Sequence, residues 1–215
     1  MGVFPIFIEL KNKKCVVVGG GTVAQRKIEK LLEFDAKITV ISIQINEKIE
    51  RFKEQQLIAV RIGEYNNEDL DEAFLVIACT NDTKTNEKVY EDALKRKIFV
   101  NIADCPQKCT FLFPSIVKRG DMTIGISTSG SYPALSKAVR QKIEQLFPEN
   151  FGLILNVLKV YRIKAMKKIT SQKNRAKFLN EALTGVLDEK SISLEQLEKK
   201  IEKIFREYGD TGGSV

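Results

Sequence analysis

The chain has 215 residues, of which 43% are hydrophobic, and a formal net charge of +7. No apolar run approaches the ~18–20 residues that a membrane span needs, and no basic segment followed by an apolar stretch opens the chain. We therefore expect a cytoplasmic protein that does not associate with a membrane. The sequence contains no histidine, which excludes imidazole-based triads and leaves Asp, Glu, Lys, Tyr or Cys for acid–base work. The positive charge favours acidic partners.

The first predicted strand, Cys15–Val18, ends in three consecutive glycines, and a predicted helix over Val23–Phe34 follows. This order places backbone N–H groups and a helix N-terminus against a pyrophosphate. The spacing Gly19-x-Gly21-x-x-Ala24 fits the dinucleotide-binding pattern, in which Gly19 makes the tight turn and Gly21 allows close approach to phosphate. The alternative is that the glycines serve packing alone.

Apolar strand-like runs and helical patterns alternate through the rest of the first half. Predicted strands are Lys37–Ser42, Leu57–Arg61, Phe74–Cys79 and Lys97–Asn101, with a helix over Thr85–Arg96. Continuous apolar strands in such an alternation predict a Rossmann-like α/β fold, with a parallel sheet covered on both faces. Met122–Ser127 is predicted as a sixth strand.

The second half has helical patterns throughout. The predicted helices are Pro133–Leu146, Phe151–Lys168, Lys173–Leu183 and Ser193–Tyr208, the last opened by a capping box of Ser193 and Gln196. Residues 159–177 include eight basic side chains and no acidic one. We interpret this stretch as a solvated helix face; an anion-binding or nucleic-acid surface is the alternative.

The four cysteines, at positions 15, 79, 105 and 109, are few for this length. Two of them lie in or beside predicted buried strands, which argues against a disulfide framework. Cys105 and Cys109 have a loose metal-like spacing but no second pair. Because the chain also lacks histidine, we expect no structural metal site.

Ligands of an open parallel sheet bind outside the carboxyl ends of its strands. The segments at those ends are Gly19–Val23, Ser42–Gln44, Thr80–Asp82, Asn101–Asp104 and Ser127–Ser131. The segment Ser42–Gln44 contains neither a carboxylate that could bind the ribose hydroxyls nor an arginine that could bind a 2′-phosphate. We therefore expect Ser42 or Gln44 to bond the ribose, with NAD favoured over NADP. Thr80 and Asn101 are predicted to position the nicotinamide or to cap their strands.

Asp104 is the candidate acid–base residue, since it is the lone carboxylate in the segment NIADCP. Burial beside a cofactor can make a carboxylate a usable proton acceptor near neutrality. The alternative is an aspartate that bonds its own backbone in a turn before Pro106.

Three segments of the chain resemble one known family. They are PIFIELKNKKCVVVGGGTVAQRK near the start, LVIACTND followed by Asn86, and NIADCPQKCTFLFPSIVKRG. In this order they resemble the precorrin-2 dehydrogenases, including those that form the N-terminal part of siroheme synthases. The resemblance covers residues 3–147.

The resemblance implies a homodimer that oxidises precorrin-2 to sirohydrochlorin with NAD, for siroheme or cobalamin synthesis. Some members also insert Fe²⁺, and Fe²⁺ or Co²⁺ would then be a substrate. The implied division is an NAD-binding domain over residues 1–113, a dimerisation and substrate-pocket segment over 114–148, and a helical domain over 149–215. Precorrin-2 is expected to come from another protein.

The resemblance also assigns roles to individual residues. It implies that Asp104 is catalytic, that Gly19, Gly21, Thr22 and Val23 form the cofactor loop, and that Ile43 and Gln44 lie on its adenosine side. Thr128, with Ser127, falls on the substrate pocket. Arg119 and Lys137 are expected near the same pocket, where they suit a polycarboxylate substrate.

A different class of function is an NAD-sensing module that docks a nucleic acid or a protein through its basic helices. No recognisable recognition helix flanks the predicted sheet, and the Asp104 segment would then lack a purpose. We therefore favour the enzyme and expect no nucleic-acid partner.

Overall fold

The computed structural model describes residues 3–103, 105–187 and 193–209. These residues form two compact units. The sheet unit runs up to Phe113 and includes Ser129–Ser131, and the helical unit contains Pro114–Thr128 and the chain from Tyr132 onward. Within the described ranges, no helix is both long enough and apolar enough to cross a bilayer.

Five parallel strands make up the sheet of the sheet unit, in the order β3-β2-β1-β4-β5. Their bounds are Lys14–Val18 (β1), Lys37–Ser42 (β2), Ala59–Ile62 (β3), Leu75–Ala78 (β4) and Phe99–Ile102 (β5). Val17 of β1 is in register with Val40 on one side and Ile77 on the other. The chain crosses from β3 to the far side of β1, so the strand order reverses there and a crevice opens at the carboxyl edge. The predicted parallel α/β fold is confirmed.

Three helices cover the sheet, at Thr22–Leu32 (α1), Glu47–Glu54 (α2) and Thr83–Lys95 (α3). In α1 the apolar residues Ala24, Ile28 and Leu31 recur at helical spacing and are buried, as an amphipathic helix requires. Alternate residues of β1 belong to two separate buried clusters, one on each face of the sheet. The strands are therefore apolar along their whole length because both faces are covered.

A hairpin opens the helical unit. Its strands, Ser115–Arg119 (β6) and Met122–Ile126 (β7), pair antiparallel as a separate two-stranded sheet. The prediction that Met122–Ser127 continues the parallel sheet is wrong. Only Gly120 and Asp121 join β6 to β7, and a two-residue connection permits an antiparallel pair but no parallel crossover.

Four helices follow, at Pro133–Leu146 (α4), Phe151–Lys168 (α5), Gln172–Leu187 (α6) and Leu194–Gly209 (α7). The last three share one buried cluster, which includes Phe178, Leu197 and Ile201. The predicted capping box at the start of α7 is confirmed. The Gln196 N–H donates to Ser193 Oγ over 3.2 Å, and the Ser193 N–H donates to Gln196 Oε1 over 3.1 Å.

Three of the eight basic residues between positions 159 and 177 contact other groups of the helical unit. Lys159 lies 2.8 Å from Asp121 and Lys164 lies 3.8 Å from Glu202. The Arg175 guanidinium donates to the carbonyl oxygen of Ile169 over 2.7 Å. These contacts favour the interpretation of a solvated helix face, which stays a prediction.

Phe178 offers a test of the packing of the helical unit. Its side chain is fully buried, and its ring centroid lies 5.3 Å from that of Phe205. Phe178→Ala is expected to lower the free energy of unfolding by about 3–5 kcal/mol, because it leaves a cavity among three helices. Urea unfolding followed by circular dichroism measures the loss. Leu183→Ala on the same helix is the control, since Leu183 is 43% exposed; equal midpoints for the two variants would contradict the packing described.

Candidate functional site

Gly19 makes the turn at the end of β1. Its φ of +128° lies in the region that side chains rarely adopt, which favours glycine. Its N–H donates to the carbonyl oxygen of Ile41 over 2.9 Å. A Cβ at this position would lie 2.7 Å from the carbonyl oxygen of Cys79, just after β4. The turn therefore lies tightly between the ends of β2 and β4.

Gly20 is the most crowded glycine of the turn. A Cβ there would lie 2.0 Å from the carbonyl oxygen of Gln44 and 2.8 Å from Ser42 Oγ. The Asn46 N–H also donates to the Gly20 carbonyl oxygen over 3.0 Å. Of the three glycines, the sequence motif assigned roles to Gly19 and Gly21 but none to Gly20. The signal for Gly20 was the unbroken run of three glycines.

Gly21 is the N-cap of α1, and no side chain caps that end of the helix. The first turn carries no acidic residue, and a Cβ on Gly21 would meet nothing within 4 Å. Thr22 and Val23, the first helical residues, are exposed. Backbone N–H groups at the positive end of the helix dipole thus border open space, the environment that suits a pyrophosphate. The cradle fits a dinucleotide.

The segment after β2 is held by its own hydrogen bonds. Ser42 Oγ donates to the Gln44 carbonyl oxygen over 2.7 Å. Ile43 is 73% exposed, and Gln44 is also exposed. Asn46, which the sequence analysis missed, donates from Nδ2 to Gln25 Oε1 of α1 over 3.0 Å. This segment therefore presents an apolar side chain beside the glycine turn.

Thr80 and Asn86 fix the segment after β4. Thr80 Oγ1 donates to Asn86 Oδ1 over 2.8 Å, and Asn86 Nδ2 donates to the Thr80 carbonyl oxygen over 3.0 Å. Asp82 caps α3 and accepts a hydrogen bond from the Thr85 hydroxyl over 2.6 Å. That bond, together with backbone N–H donors, lowers the pKa of Asp82. The contacts of Thr80 are those of a strand-end cap.

Asn101 anchors part of the segment that follows β5, residues 105–113, which we call the β5 loop. The Asn101 side chain is buried and donates from Nδ2 to the Phe111 carbonyl oxygen over 3.0 Å. The Val100 N–H donates to Thr110 Oγ1 over 2.8 Å. The loop therefore turns back along the strand it leaves. Asp104, the predicted catalytic residue, lies outside the described residues.

The thiols near the carboxyl edge are free. Burial raises the pKa of Cys79 to about 12 and also raises the pKa of Cys109. Cys109 Sγ accepts a hydrogen bond from the Ile102 N–H over 3.3 Å. Among residues 3–103, 105–187 and 193–209, no group of three or more His, Cys, Asp or Glu side chains is placed to hold a metal ion.

The predicted substrate residues lie in the helical unit. Thr128 Oγ1 accepts a hydrogen bond from the Tyr132 N–H over 3.2 Å. Arg119 Nε donates to the Phe147 carbonyl oxygen over 2.8 Å, which fixes the end of α4. Ser127 is exposed after β7, and Lys137 is exposed on α4. The sequence analysis assumed that Ser127–Ser131 follows a sixth parallel strand. This is wrong, because β7 is not part of the parallel sheet.

The carboxyl edge thus brings together the glycine turn, Ser42–Gln44, Thr80 and Asn101 within the sheet unit. A cleft of about 770 Å³ lies at the opposite, amino-terminal edge. It is lined by residues at the starts of the strands, including Lys14, Lys37 and Phe74. Its position separates it from the glycine turn by the length of the sheet, so the cleft takes no part in the candidate site.

Variants of two neighbouring glycines distinguish an effect on the stability of the fold from an effect on cofactor binding. Gly20→Ala forces backbone apart and is expected to lower the melting temperature and weaken NAD binding together. Gly21→Ala adds a methyl group in open space, so it should keep the melting temperature within a few degrees while it weakens NAD binding about tenfold or more. Thermal unfolding and NADH fluorescence titration measure the two effects.

Gly125→Ala is the control for this pair, because a Cβ there would make an ordinary 3.7 Å contact with Pro114 in the helical unit. It should leave both quantities unchanged. Unaltered NAD binding by Gly21→Ala would show that the pyrophosphate lies elsewhere.

Comparisons with known proteins agree with this geometry. Residues 6–115, just over half of the chain, match the family described as "Putative NAD(P)-binding". A siroheme synthase from Mannheimia succiniciproducens is 32% identical over 100% of this chain and 45% of its own length. Siroheme synthase 2 of Yersinia enterocolitica is 34% identical over 95% of this chain and 44% of its own. The siroheme synthase of Photobacterium profundum is 36% identical over 86% of this chain and 39% of its own length.

A solved structure titled "SirC, precorrin-2 dehydrogenase" has the same fold. It covers 96% of this chain and 100% of its own, with a TM-score of 0.77 and 24% sequence identity. The chain spans less than half the length of the curated relatives named above. The resemblance drawn from the sequence is confirmed, and so is the prediction of a nicotinamide dinucleotide as cofactor. The chain belongs to the NAD(P)-binding family whose model it matches, and its similarity to siroheme synthases extends along its whole length.

Proposed function

We propose that the chain catalyses the NAD-dependent dehydrogenation of precorrin-2 to sirohydrochlorin, in siroheme or cobalamin biosynthesis. The observation that carries the proposal is the open glycine cradle at the N-terminus of α1. It occurs in a chain whose relatives are siroheme synthases. The structural likeness to a precorrin-2 dehydrogenase supports the fold on which the proposal stands.

The glycine turn and the first N–H groups of α1 hold the pyrophosphate in this proposal. Exposed Ile43 and Gln44 flank the adenosine. Ser42–Gln44 contains no arginine to pair with a 2′-phosphate, which supports NAD over NADP. When bound, the nicotinamide supplies the hydride acceptor.

Dehydrogenation removes one hydride and one proton from the macrocycle, so the protein must supply a proton acceptor. The chain has no histidine, and burial keeps the Cys79 thiol neutral with a pKa of about 12. Asp104 follows β5 by two positions in the sequence. We assign it the role of general base, with Thr80 and Asn101 as the residues that fix the neighbouring segments.

The substrate is a polycarboxylate, which suits a chain with a net charge of +7. Ser127, Thr128, Arg119 and Lys137 are the proposed substrate-binding residues. Arg119 Nε already donates to the Phe147 carbonyl oxygen at the end of α4. The terminal nitrogens of its guanidinium would therefore bind the substrate carboxylate. Precorrin-2 itself would come from a methyltransferase reaction on another protein or domain.

A homodimer and a cytoplasmic location are part of the proposal. Leu146, at the end of α4, is 72% exposed, and Leu135 and Tyr132 of the same region are also exposed. Large apolar side chains exposed at both ends of one helix favour a protein interface along it. The four cysteines are all free thiols, which favours a reducing compartment.

The dehydrogenase proposal is tested by anaerobic turnover of precorrin-2 with NAD, followed by the visible absorbance of sirohydrochlorin. Asp104→Asn should lower kcat by roughly 10²–10⁴-fold, the range typical of a lost general base. Asp35→Asn is the matched control. Asp35 precedes β2 at the opposite edge of the sheet and has a φ of +55°, which asparagine tolerates. Full activity of Asp104→Asn would remove this residue from the mechanism.

Chelation is a separate activity that the resemblance implies for some members. If this chain has it, sirohydrochlorin and Fe²⁺ without NAD should give siroheme faster than the protein-free mixture. Co²⁺ in place of Fe²⁺ tests the cobalamin branch. A rate equal to the protein-free control would limit the chain to dehydrogenation.

A further inference from the structure

The cleft at the amino-terminal edge of the sheet is a feature that the proposed function does not use. Its volume of about 770 Å³ is that of a pocket for a small molecule. Its walls come from the starts of β1, β2 and β3 and from the segment that precedes β4. All of these residues belong to the sheet unit. The cleft therefore offers a ligand a place at the opposite edge from the glycine turn.

Three lysines give the cleft its positive charge. Lys14 begins β1 and Lys37 begins β2, and Lys13 directly precedes β1. Lys14 and Lys37 are directly opposite each other in the register of the two strands. Like charges in such a position destabilise a sheet. Among the described residues that line the cleft, Glu72 is the one carboxylate, so the lining carries an excess of positive charge.

The ammonium groups of these lysines keep donors available for a ligand. Lys14 Nζ donates to the Asp71 carbonyl oxygen over 2.6 Å, which uses one of its three N–H groups. Lys13 Nζ lies 5.5 Å from the centroid of the Phe74 ring. In the ranges that the structure describes, none of the three lysines forms an ion pair with a carboxylate. Their charge is thus not neutralised by these parts of the chain.

Part of the lining is apolar. Ile38 and Ile58 are buried, and the Phe74 ring packs against Phe99 with their centroids 5.6 Å apart. Apolar walls of low dielectric strengthen the field of charges that lie beside them. An anion in the cleft is therefore attracted more strongly than by the same three lysines on an open surface.

We propose that this cleft binds a small polyanion with two or three phosphate or carboxylate groups, which the ammonium groups of Lys13, Lys14 and Lys37 contact. The ligand would replace the repulsion between Lys14 and Lys37 with charge-assisted hydrogen bonds. The site is distinct from those of the cofactor and the substrate. Its test needs no turnover, so the inference stands or fails independently of the proposed function.

Calorimetric titration and thermal unfolding of the full chain test the site, with tripolyphosphate and citrate as separate probes at low ionic strength. Saturating NAD is present throughout, so that the glycine cradle is occupied. Saturable binding that also raises the melting temperature is the expected result. The probe that binds more tightly identifies the acidic group that the site prefers. If neither probe binds saturably, the proposal is wrong.

Two variants locate the bound anion. The double variant Lys13→Met/Lys37→Met removes two charges and should weaken binding of the probe about tenfold or more. Without a probe it should melt no lower than the wild type, because it relieves the repulsion of Lys14. Ala59→Phe keeps all three lysines and fills the cleft from β3, where Ala59 is exposed. It should weaken binding by a similar factor, and unchanged binding would place the anion outside the cleft.

The double variant Lys177→Met/Lys199→Met is the matched control. It lowers the net charge by the same amount at exposed lysines of the helical unit. The Kd of the probe should stay within about twofold of the wild-type value, the small change expected from charges beyond the Debye length. An equal loss in this control would show that the total charge of the chain attracts an adventitious ion only, which would overturn the site.

Discussion

Close backbone contact at the glycine turn is the constraint on which the candidate site depends. Gly19 donates to the end of β2, and Gly20 accepts from Asn46 at the start of α2. The carbonyl oxygens of Gln44 and Cys79 approach the same turn within distances that no side chain tolerates. These contacts fix where α1 begins. Backbone atoms crowd Gly19 and Gly20, whereas the space beside Gly21, at the N-terminus of the helix, is open.

The polar side chains of the carboxyl edge are largely engaged with the protein itself. Thr80 bonds Asn86, Asn101 bonds the Phe111 carbonyl oxygen, and Ser42 bonds its own segment. Such bonds hold three loops in place around the turn and reduce the ordering that ligand binding would otherwise require. Backbone N–H groups and a few exposed side chains are then left to contact the cofactor. A polar residue at the end of a strand indicates where the site lies. Its type and position do not show whether it contacts the ligand or holds a neighbouring loop in place.

The sequence predicted most of the fold because the strands of the sheet unit are buried on both faces. Runs such as Phe74–Cys79 are apolar throughout, and the structure places β4 within one residue of each end. The bounds of α4 and α5 were predicted correctly, with Pro133 marking the first turn of α4. Helix α2 was missed because its sequence EKIERFKE buries only Ile49 and Phe52. The pairing of β7 with β6 was also missed. The pattern of apolar residues within one strand does not show which strand lies beside it.

The composition of the chain restricts the chemistry further than the motif does. A dehydrogenase that removes a proton needs a group that is ionised near neutrality, and this sequence has no histidine. Burial raises the pKa of Cys15 and Cys79 to about 12, so neither thiol can serve. Among the other groups, lysines and tyrosines have ordinary pKa values well above neutrality, whereas carboxylates have theirs well below it. A carboxylate base is then ionised over the whole physiological range. The efficiency of such a base depends on the charges and the burial that surround it, because both shift its pKa.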